Sequence, residues 1–363
     1  MSAADTLVLW LDEVGTDSGA LVGGKFSSLG EMAAAGFAVP PAFAVTTDAY
    51  RTFMGDGRLG ELARSARTAA HGGDLLAIED AAATMREAIE STPLPAAVAD
   101  AVAEAYARLC ERAGSPDVPV AVRSSGVAED LAGASFAGQY ETYLWVIGVD
   151  AVLEHVRRCW TGLFGAAVLT YRPGDGNGTV VDVGMAVVVQ QLVQPRAAGV
   201  MFTLDPVTGD RSKIVIEAGW GLGEAVVAGE VTPDRFRLDK VTLDVVDRAI
   251  VEKASEYRFE PGTGVQLRQV PDDRRLEPCL EEAQVEALAA LAKRIEAHRG
   301  APQDIEWAVD EAGAVHVLQV RPETVWSRRP VPTVSAGAGS AVDLVLSTFV
   351  SGGRLAPKDD GGS

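Results

Sequence analysis

Cysteine is scarce in this sequence: there are three cysteines in 363 residues, far apart and without a C-x-x-C pair. Such spacing predicts neither a disulfide framework nor a zinc knuckle. Histidine is scarce too, and none of the four histidines stands at metal-ligand spacing from a cysteine or a carboxylate. No Ser-His-Asp order and no G-x-S-x-G motif is present, so the sequence does not indicate a serine hydrolase.

Basic residues are in the minority, because 32 Lys and Arg face 51 Asp and Glu and give a formal net charge of -19. An acidic chain lacks the basic surface that binds a nucleic-acid backbone, and it must hold any phosphate ligand with a few local cations and metal ions. No apolar run approaches the length that spans a bilayer, and the N-terminus has no basic signal-peptide region. We therefore expect no nucleic-acid partner, no membrane contact and a cytoplasmic location.

Two kinds of pattern divide the chain. Apolar runs alternate with helical patterns in the first part, including a helix that ends at Gly36 and two or three amphipathic helices over residues 59–110. Strand patterns predominate after the linker-like stretch Pro173–Thr179 and end in a hairpin with its turn at Gly313. The sequence therefore predicts an α+β fold with subdomains over residues 1–179 and 180–327, followed by a Gly/Ser/Pro-rich tail, 328–363.

Two glycine-rich stretches resemble known nucleotide-binding motifs but do not match their residue patterns. Lys25 follows two glycines, but the next residue is Phe26, where a P-loop needs Ser or Thr for magnesium. Lys25 can still meet a phosphate as a point charge, or it is a surface lysine in a turn. Gly219, Gly221 and Gly223 have the spacing G-x-G-x-G, which is not the dinucleotide fingerprint, and they predict close approach of backbone instead.

Arg123 and the segment Asp304–Glu323 carry the residues best suited to a phosphate. Arg123 follows an apolar strand and precedes two serines and a glycine, although an exposed arginine at a strand end fits the same pattern. In the predicted final hairpin, Glu306 can share a face with Gln319 and Arg321. A carboxylate, an amide oxygen and a guanidinium on one sheet face predict a magnesium-phosphate site, and the alternative is a salt bridge between Glu306 and Arg321.

Five long motifs together resemble the nucleotide-binding domain of the phosphoenolpyruvate synthase and pyruvate phosphate dikinase family, which includes rifampicin phosphotransferase. They occur in the same order over about residues 7 to 326. The motifs are GGKFSSLGEMAAAGFAVPPAFAVTTDAY, VAVRSSGVAEDLAGASFAGQYETYLWV, VVVQQLVQPRAAGVMFTLDP, IEAGWGLGEAVVAGEVTPD and DIEWAVD with VLQVRPET. This resemblance implies an ATP-grasp fold, in which two subdomains clamp ATP between them.

The resemblance also implies roles for individual residues. Lys25 and Arg123 match phosphate-binding positions, and Glu306 and Gln319 match magnesium ligands, beside the phosphate-binding Arg321. The residues expected to meet the nucleotide elsewhere are Gln190, Gln191, Leu192 and Val193, at the adenine, and Glu217. The implied cofactors are ATP and Mg²⁺, with Arg123 and Arg321 in catalytic roles. The segment between Glu306 and Gln319 is one residue longer than the family pattern, which leaves the register of the hairpin open.

Longer members of the family carry a phosphate-accepting histidine in a Gly-rich Thr/Ser-His motif, and no histidine here stands in such a motif. We therefore expect a phosphotransferase subunit that binds Mg-ATP and phosphorylates a histidine on a partner subunit, with AMP and phosphate as products and a phenol or alcohol as final acceptor. The start of the chain and its tail favour a separate small subunit. The alternatives are a fragment of a single-chain phosphoenolpyruvate synthase or rifampicin phosphotransferase, a nucleotide-sensing module and a carboxylate–amine ligase.

Overall fold

The structure is a computed structural model, which describes residues 6–15, 17–55, 57–126, 142–170, 184–260 and 263–326. The chain divides into two compact units, Met1–Glu323 and Thr324–Ser363, and every helix and strand named below lies in the first unit. The predicted linker Pro173–Thr179 and the predicted tail, 328–363, lie outside the described residues.

Two antiparallel sheets and one separate hairpin contain the described strands. The first sheet has the order β1-β2-β5-β3-β4, the second has the order β13-β12-β6-β7-β8-β9, and β10 pairs with β11. The strands are β1 (Val8–Trp10), β2 (Ala42–Val45), β3 (Val120–Gly126), β4 (Thr142–Val146), β5 (Met185–Gln191), β6 (Pro195–Phe202), β7 (Lys213–Trp220), β8 (Asp234–Asp239), β9 (Val245–Ala249), β10 (Ser255–Glu260), β11 (Gly264–Gln269), β12 (Gln303–Asp310) and β13 (Val315–Pro322).

The helices follow from apolar periodicity and from their end residues. Ile78, Ala82, Met85 and Ile89 recur at helical spacing and are all buried, as an amphipathic helix requires. The described helices are α1 (Gly19–Ala34), α2 (Thr47–Met54), α3 (Arg58–Gly72), α4 (Leu75–Ser91), α5 (Ala96–Ala113), α6 (Val149–Thr161), α7 (Ala166–Thr170), α8 (Glu224–Val227) and α9 (Glu282–Arg299). Within the described residues, no helix is long and apolar enough to cross a membrane.

Each sheet has its own hydrophobic core. On one face of the first sheet, helices α3 to α6 contribute to a core that includes the fully buried Trp160, which stacks on Phe53 at 5.1 Å between ring centroids. The indole N–H of Trp160 donates to the carbonyl oxygen of Met185 at 3.0 Å, so its polar group is satisfied inside the core. On one face of the second sheet, α9 packs against a core that includes Trp307. The residues on either side of Trp307 in β12 lie on the other face of the second sheet, which α9 leaves free.

Helix α1 joins the two sheets. Phe26 and Leu29 pack on the first sheet, whereas Met32 belongs to the core of the second. The Ser28 hydroxyl donates to the carbonyl oxygen of Val320 in β13 at 2.7 Å. This helix therefore packs against both sheets and links them.

The α+β class predicted from the sequence is confirmed. The helix predicted to end at Gly36 is α1, the amphipathic region at 59–110 forms α3, α4 and α5, and the turn at Gly313 separates β12 from β13. The division into subdomains at residue 179 stays a prediction. Strand β5, which follows that boundary in the chain, lies in the middle of the first sheet.

Substitution of Gly23 by alanine is predicted to destabilise the chain. Gly23 has φ +72° and ψ 170° inside α1, a conformation that is essentially restricted to glycine. A Cβ atom there would lie 2.2 Å from the carbonyl oxygen of Ser125 in β3. We expect Gly23→Ala to lower the free energy of unfolding by about 1–3 kcal/mol or more, measured by urea denaturation.

Gly19→Ala is the matched control, since Gly19 begins the same helix and a Cβ atom there would meet nothing within 4 Å. We expect this control to match or slightly exceed the wild type in stability, because alanine favours a helix over glycine. Equal stability of the two variants would contradict the close contact of α1 with β3.

Candidate functional site

A cavity of about 520 Å³ lies between the free face of the second sheet and the first sheet beside α1. This volume is in the range of pockets that bind small molecules and cofactors. With the exception of Glu217, all the residues that the sequence predicts for a nucleotide site line it: Lys25, Arg123, Gln190, Gln191, Leu192, Val193, Glu306, Gln319 and Arg321.

Lys25 reaches the cavity because α1 is kinked just before it. The unusual backbone of Gly23 lets the helix pass directly over the end of β3. There the Ser125 hydroxyl donates to the carbonyl oxygen of Val22 at 2.7 Å and accepts from the backbone N–H of Phe26 at 3.3 Å. The Lys25 ammonium lies 3.4 Å from the carbonyl oxygen of Ser124. Apart from Gly23, the residues that precede Lys25 in α1 are themselves helical and do not form a loop after a strand, which agrees with the rejection of a P-loop.

Arg123 and Glu306 face each other across the cavity, one from each sheet. Nη1 of Arg123 lies 3.6 Å from Oε2 of Glu306, and both side chains are mostly buried. At this distance the two groups form an ion pair, but the two atoms are too far apart for a good hydrogen bond. Each group can therefore take a closer partner of opposite charge, a phosphate for Arg123 and a cation for Glu306.

Glu306 and Gln319 lie directly opposite each other in the β12–β13 hairpin, so they share one face of it, as predicted. Nε2 of Gln319 donates to Oε1 of Glu306 at 3.1 Å. The register shifts between Glu306 and Trp307, so that Trp307 pairs with Val317 and Leu318 is the extra residue of a β-bulge. The bulge absorbs one additional residue between Glu306 and Gln319, and both side chains still reach the cavity. This settles the register that the sequence left open.

Asp304, which contacts the cavity residue Arg321 and does not itself belong to the cavity lining, was missed by sequence reasoning. The register places Asp304, rather than Glu306, opposite Arg321, and Nε of Arg321 donates to Oδ2 of Asp304 at 2.7 Å. Burial raises the pKa of the Asp304 carboxyl, while Arg321 opposes that shift and the neighbouring Glu306 adds to it. The alternating pattern Asp304, Glu306, Ala308 on one strand face was the available signal. Glu306 forms an ion pair with Arg123 and Arg321 forms one with Asp304, so Arg321 is a diagonal neighbour of Glu306 and not the residue directly opposite it.

Glu217 is placed differently from the other predicted residues. It pairs with Val200, which in turn pairs with Glu306, so Glu217 shares the sheet face of Glu306 two strands away. It does not belong to the cavity lining found among the described residues. Burial raises the pKa of its carboxyl, and Arg235 on the next strand opposes the shift. Its contact with nucleotide stays a prediction.

Glu224, at the start of α8, is a second residue that sequence reasoning missed. It lines the cavity, and burial together with the charge of Glu230 raises the pKa of its carboxyl, while Arg123 lowers it. The glycines before it permit close backbone approach, as predicted. A Cβ atom on Gly221, where φ is +70°, would lie 2.3 Å from the carbonyl oxygen of Tyr257. The partner in that approach is the β10 backbone.

The residues in the cavity fit a metal that is shared with phosphate. Among the described residues, no group of three or more His, Cys, Asp or Glu side chains is arranged to hold a metal by itself. Magnesium is commonly bound by one or two carboxylates together with substrate phosphates. Glu306, with the amide of Gln319 beside it, fits this donor set, and the nearby cations fit the phosphates. The arrangement is suited to binding a polyphosphate with its metal.

Curated proteins similar to this chain are longer than it is. It is 45% identical over 332 residues to a rifampicin phosphotransferase from Streptomyces, covering 90% of this chain and 36% of that protein. It is 42% identical over 348 residues to a probable phosphoenolpyruvate synthase from Staphylothermus marinus, covering 89% and 42%. It is 41% identical over 317 residues to a probable phosphoenolpyruvate synthase from Methanocaldococcus jannaschii, covering 87% and 26%. The chain thus spans between a quarter and a half of these relatives.

Two solved structures show a weak similarity. D-alanyl-alanine synthetase A from Vibrio cholerae matches with 11% identity and a TM-score of 0.27, over 69% of this chain and 56% of that one. D-cycloserine synthetase DcsG matches with 13% identity and a TM-score of 0.28, over 82% and 61%. At these values, neither structure supports a conclusion about this chain.

The family is shown by the sequence match. The sequence model of the family described as the pyruvate phosphate dikinase AMP/ATP-binding domain matches residues 19–338, and this range includes all the cavity residues named above. The resemblance inferred from the five motifs is confirmed. This chain belongs to the pyruvate phosphate dikinase AMP/ATP-binding domain family.

Proposed function

We propose that the chain binds Mg-ATP in the cavity between its two sheets and acts as the ATP-binding part of a phosphoenolpyruvate synthase-like phosphotransferase. The observation that carries this proposal is the convergence of Lys25, Arg123 and Arg321 with Glu306 and Gln319 on one cavity. These residues come from distant parts of the chain, and phosphoryl-transfer sites rely on this kind of cationic and metal-binding set. The two sheets would clamp the nucleotide, as in the ATP-grasp fold that the resemblance implies.

We assign the two parts of ATP to two ends of the cavity. The end proposed for adenine is formed by Gln190–Val193 and the apolar residues beside them. Ala121 is one of these residues: it lies opposite Gln190, and both line the cavity. Arg123 is two residues further along β3, about 6–7 Å away, at the end proposed for the phosphates. Magnesium held by Glu306 and Gln319 would offset phosphate charge at that end.

The proposed reaction transfers phosphate to a histidine of a partner domain or subunit. Release of AMP requires the bond between the β-phosphorus and the oxygen that links it to the α-phosphorus to break, so a histidine nitrogen attacks the β-phosphorus. Water then removes the terminal phosphate, and the phosphohistidine passes its phosphate to a small acceptor such as a phenol or alcohol. Arg123 and Arg321 would stabilise the negative charge that develops on the transferred group.

The histidines of the chain support a partner as the nucleophile. All four lie among the described residues, and none lines the cavity. His71 and His155 contact helix carbonyl oxygens through Nδ1, His298 contacts Glu31 and His316 contacts Asp310. The same proposal holds if the accepting histidine belongs to a longer chain of which this domain is a part, since the relatives are longer.

Removal of either arginine is predicted to weaken Mg-ATP binding. Each charge-assisted contact to phosphate contributes about 1.5–3 kcal/mol, so Arg123→Ala and Arg321→Ala should each raise the Kd roughly ten- to a hundredfold in titration calorimetry. Arg211→Ala is the control, because Arg211 is exposed and lies outside the cavity lining. Wild-type affinity in both cavity variants would refute the site.

Magnesium is predicted to be required for tight binding. Glu306→Gln keeps the shape of the side chain and removes its charge, so we expect it to abolish most of the difference between the Kd of ATP with and without magnesium. Binding of equal strength with and without the metal in the wild type would argue against Glu306 as a ligand.

The chain alone is predicted to release negligible AMP from ATP, because none of its four histidines lines the cavity and the proposed reaction then leaves water as the nucleophile. A polypeptide with a Gly-rich Thr/Ser-His motif, together with a phenol, should restore AMP release. The measurement is a nucleotide assay with each component omitted in turn, together with a test for acid-labile phosphate on each protein. Rapid AMP release with labelled histidine on this chain alone would contradict the prediction.

A further inference from the structure

Strand β4 contains an irregularity beside the cavity. Val120 pairs with Val146 and Val122 pairs with Tyr143, so both Leu144 and Trp145 lie opposite Ala121. Trp145 has φ +61°, which is unusual for a residue with a bulky side chain. This is a β-bulge, a device that redirects side chains at functional sites. One of its two residues, Leu144, lines the cavity.

Trp145 stacks on a residue of the separate hairpin. Its ring and that of Phe259 in β10 are 4.2 Å apart between centroids and are inclined by 9°. This geometry is close parallel stacking, which is one of the favourable arrangements for two aromatic rings. The stack therefore joins the edge strand of the first sheet to the β10–β11 hairpin.

The same hairpin strand is also fixed to the opposite wall of the cavity. The carbonyl oxygen of Tyr257, two residues before Phe259, accepts from the backbone N–H of Leu222 at 3.1 Å. Leu222 lines the cavity, and its neighbour Gly221 forms an isolated bridge with Tyr257. Strand β10 thus connects Leu144 on one wall, through Trp145, with Leu222 on the other.

We propose that Trp145 and Phe259 are positioning residues for the nucleotide base. Their stack would hold Leu144 and Leu222 at the spacing that a flat purine ring fills. This inference rests on the proposed function, because the base is that of ATP. Leu144 lies opposite Ala121, which lies opposite Gln190, so the bulge is at the adenine end of the cavity, away from Arg123.

The stack would raise affinity through preorganisation. Neither aromatic ring lines the cavity, so neither is expected to touch the nucleotide. Without the stack, the two walls would have to be ordered when the base binds, and that ordering reduces affinity. Loss of the stack should therefore weaken binding of the base and leave binding of the phosphates unchanged.

The experiment compares ATP with inorganic triphosphate, which has the phosphates and lacks the base. We expect Trp145→Ala and Phe259→Ala each to raise the Kd of Mg-ATP about two- to tenfold, the range that corresponds to loss of one aromatic pair. The Kd of magnesium triphosphate should remain that of the wild type. Arg123→Ala should weaken both ligands. Leu267→Ala is the control, because Leu267 is an exposed residue of the same hairpin and is not part of the stack.

Conservative variants and a double variant separate positioning from general loss of structure. Phe259→Tyr and Trp145→Phe keep a stacked ring and should bind Mg-ATP within about twofold of the wild type. The double alanine variant should lose no more affinity than either single variant, since both remove the same contact. Thermal unfolding of each variant checks that it is folded.

The outcomes distinguish this inference from the proposed function. If the wild type binds Mg-ATP and both alanine variants bind it equally well, the inference is wrong and the proposed function stands. An equal loss of ATP and triphosphate affinity in the alanine variants would also overturn it. Absence of Mg-ATP binding by the wild type would overturn the proposed function and the inference together.

Discussion

The close contact between α1 and the end of β3 is the constraint on which the cavity depends. Only a glycine at position 23 allows the helix backbone to lie on Ser125, whose hydroxyl holds α1 on both sides of that glycine. The contact brings Lys25 to the end of β3, near Arg123. The later part of α1 contacts the second sheet through Ser28, whose hydroxyl donates to Val320 of β13, and Glu31 forms an ion pair at 2.7 Å with Arg299 at the end of α9. One helix therefore brings Lys25 to the cavity and contacts both of the sheets that face it.

The cavity holds charges of both signs. The first sheet and α1 supply Arg123 and Lys25, while the second sheet supplies Glu306 from β12 and Arg321 from β13. A phosphate chain placed among them would be attracted by the three cations and repelled by Glu306, and a divalent cation would remove that repulsion. The overall charge of -19 also favours a bound divalent cation, because a negatively charged chain disfavours binding of an anion without its metal. The proposed metal dependence would thus follow from the arrangement of charge as much as from the donor atoms.

Much of the site could be predicted because its residues lie at the ends or on one face of regular strands. Alternation along β13 places Gln319 and Arg321 together, and pairing with β12 brings Glu306 beside them. Asp304 could not be assigned to Arg321 without the register, which depends on a bulge at Leu318. Glu224 was missed because its helix is a single turn in a glycine-rich segment that has no periodic pattern. The position of β5 inside the first sheet depends on long-range pairing, which local sequence does not encode.

Irregular pairing recurs where the two sheets meet the cavity. One bulge, at Leu318, lies beside the pair Glu306 and Gln319, and another, at Leu144 and Trp145, lies opposite Ala121, at the end of the cavity that is proposed for adenine. A regular strand directs alternate side chains to opposite faces, so an inserted residue is the simplest way to turn one side chain without moving the whole strand. At Leu318 the insertion keeps two polar side chains on the face that binds the proposed metal. At Trp145 the inserted residue directs Leu144 to the cavity and Trp145 to the β10–β11 hairpin. Strand β4 can therefore both line the cavity and hold that hairpin.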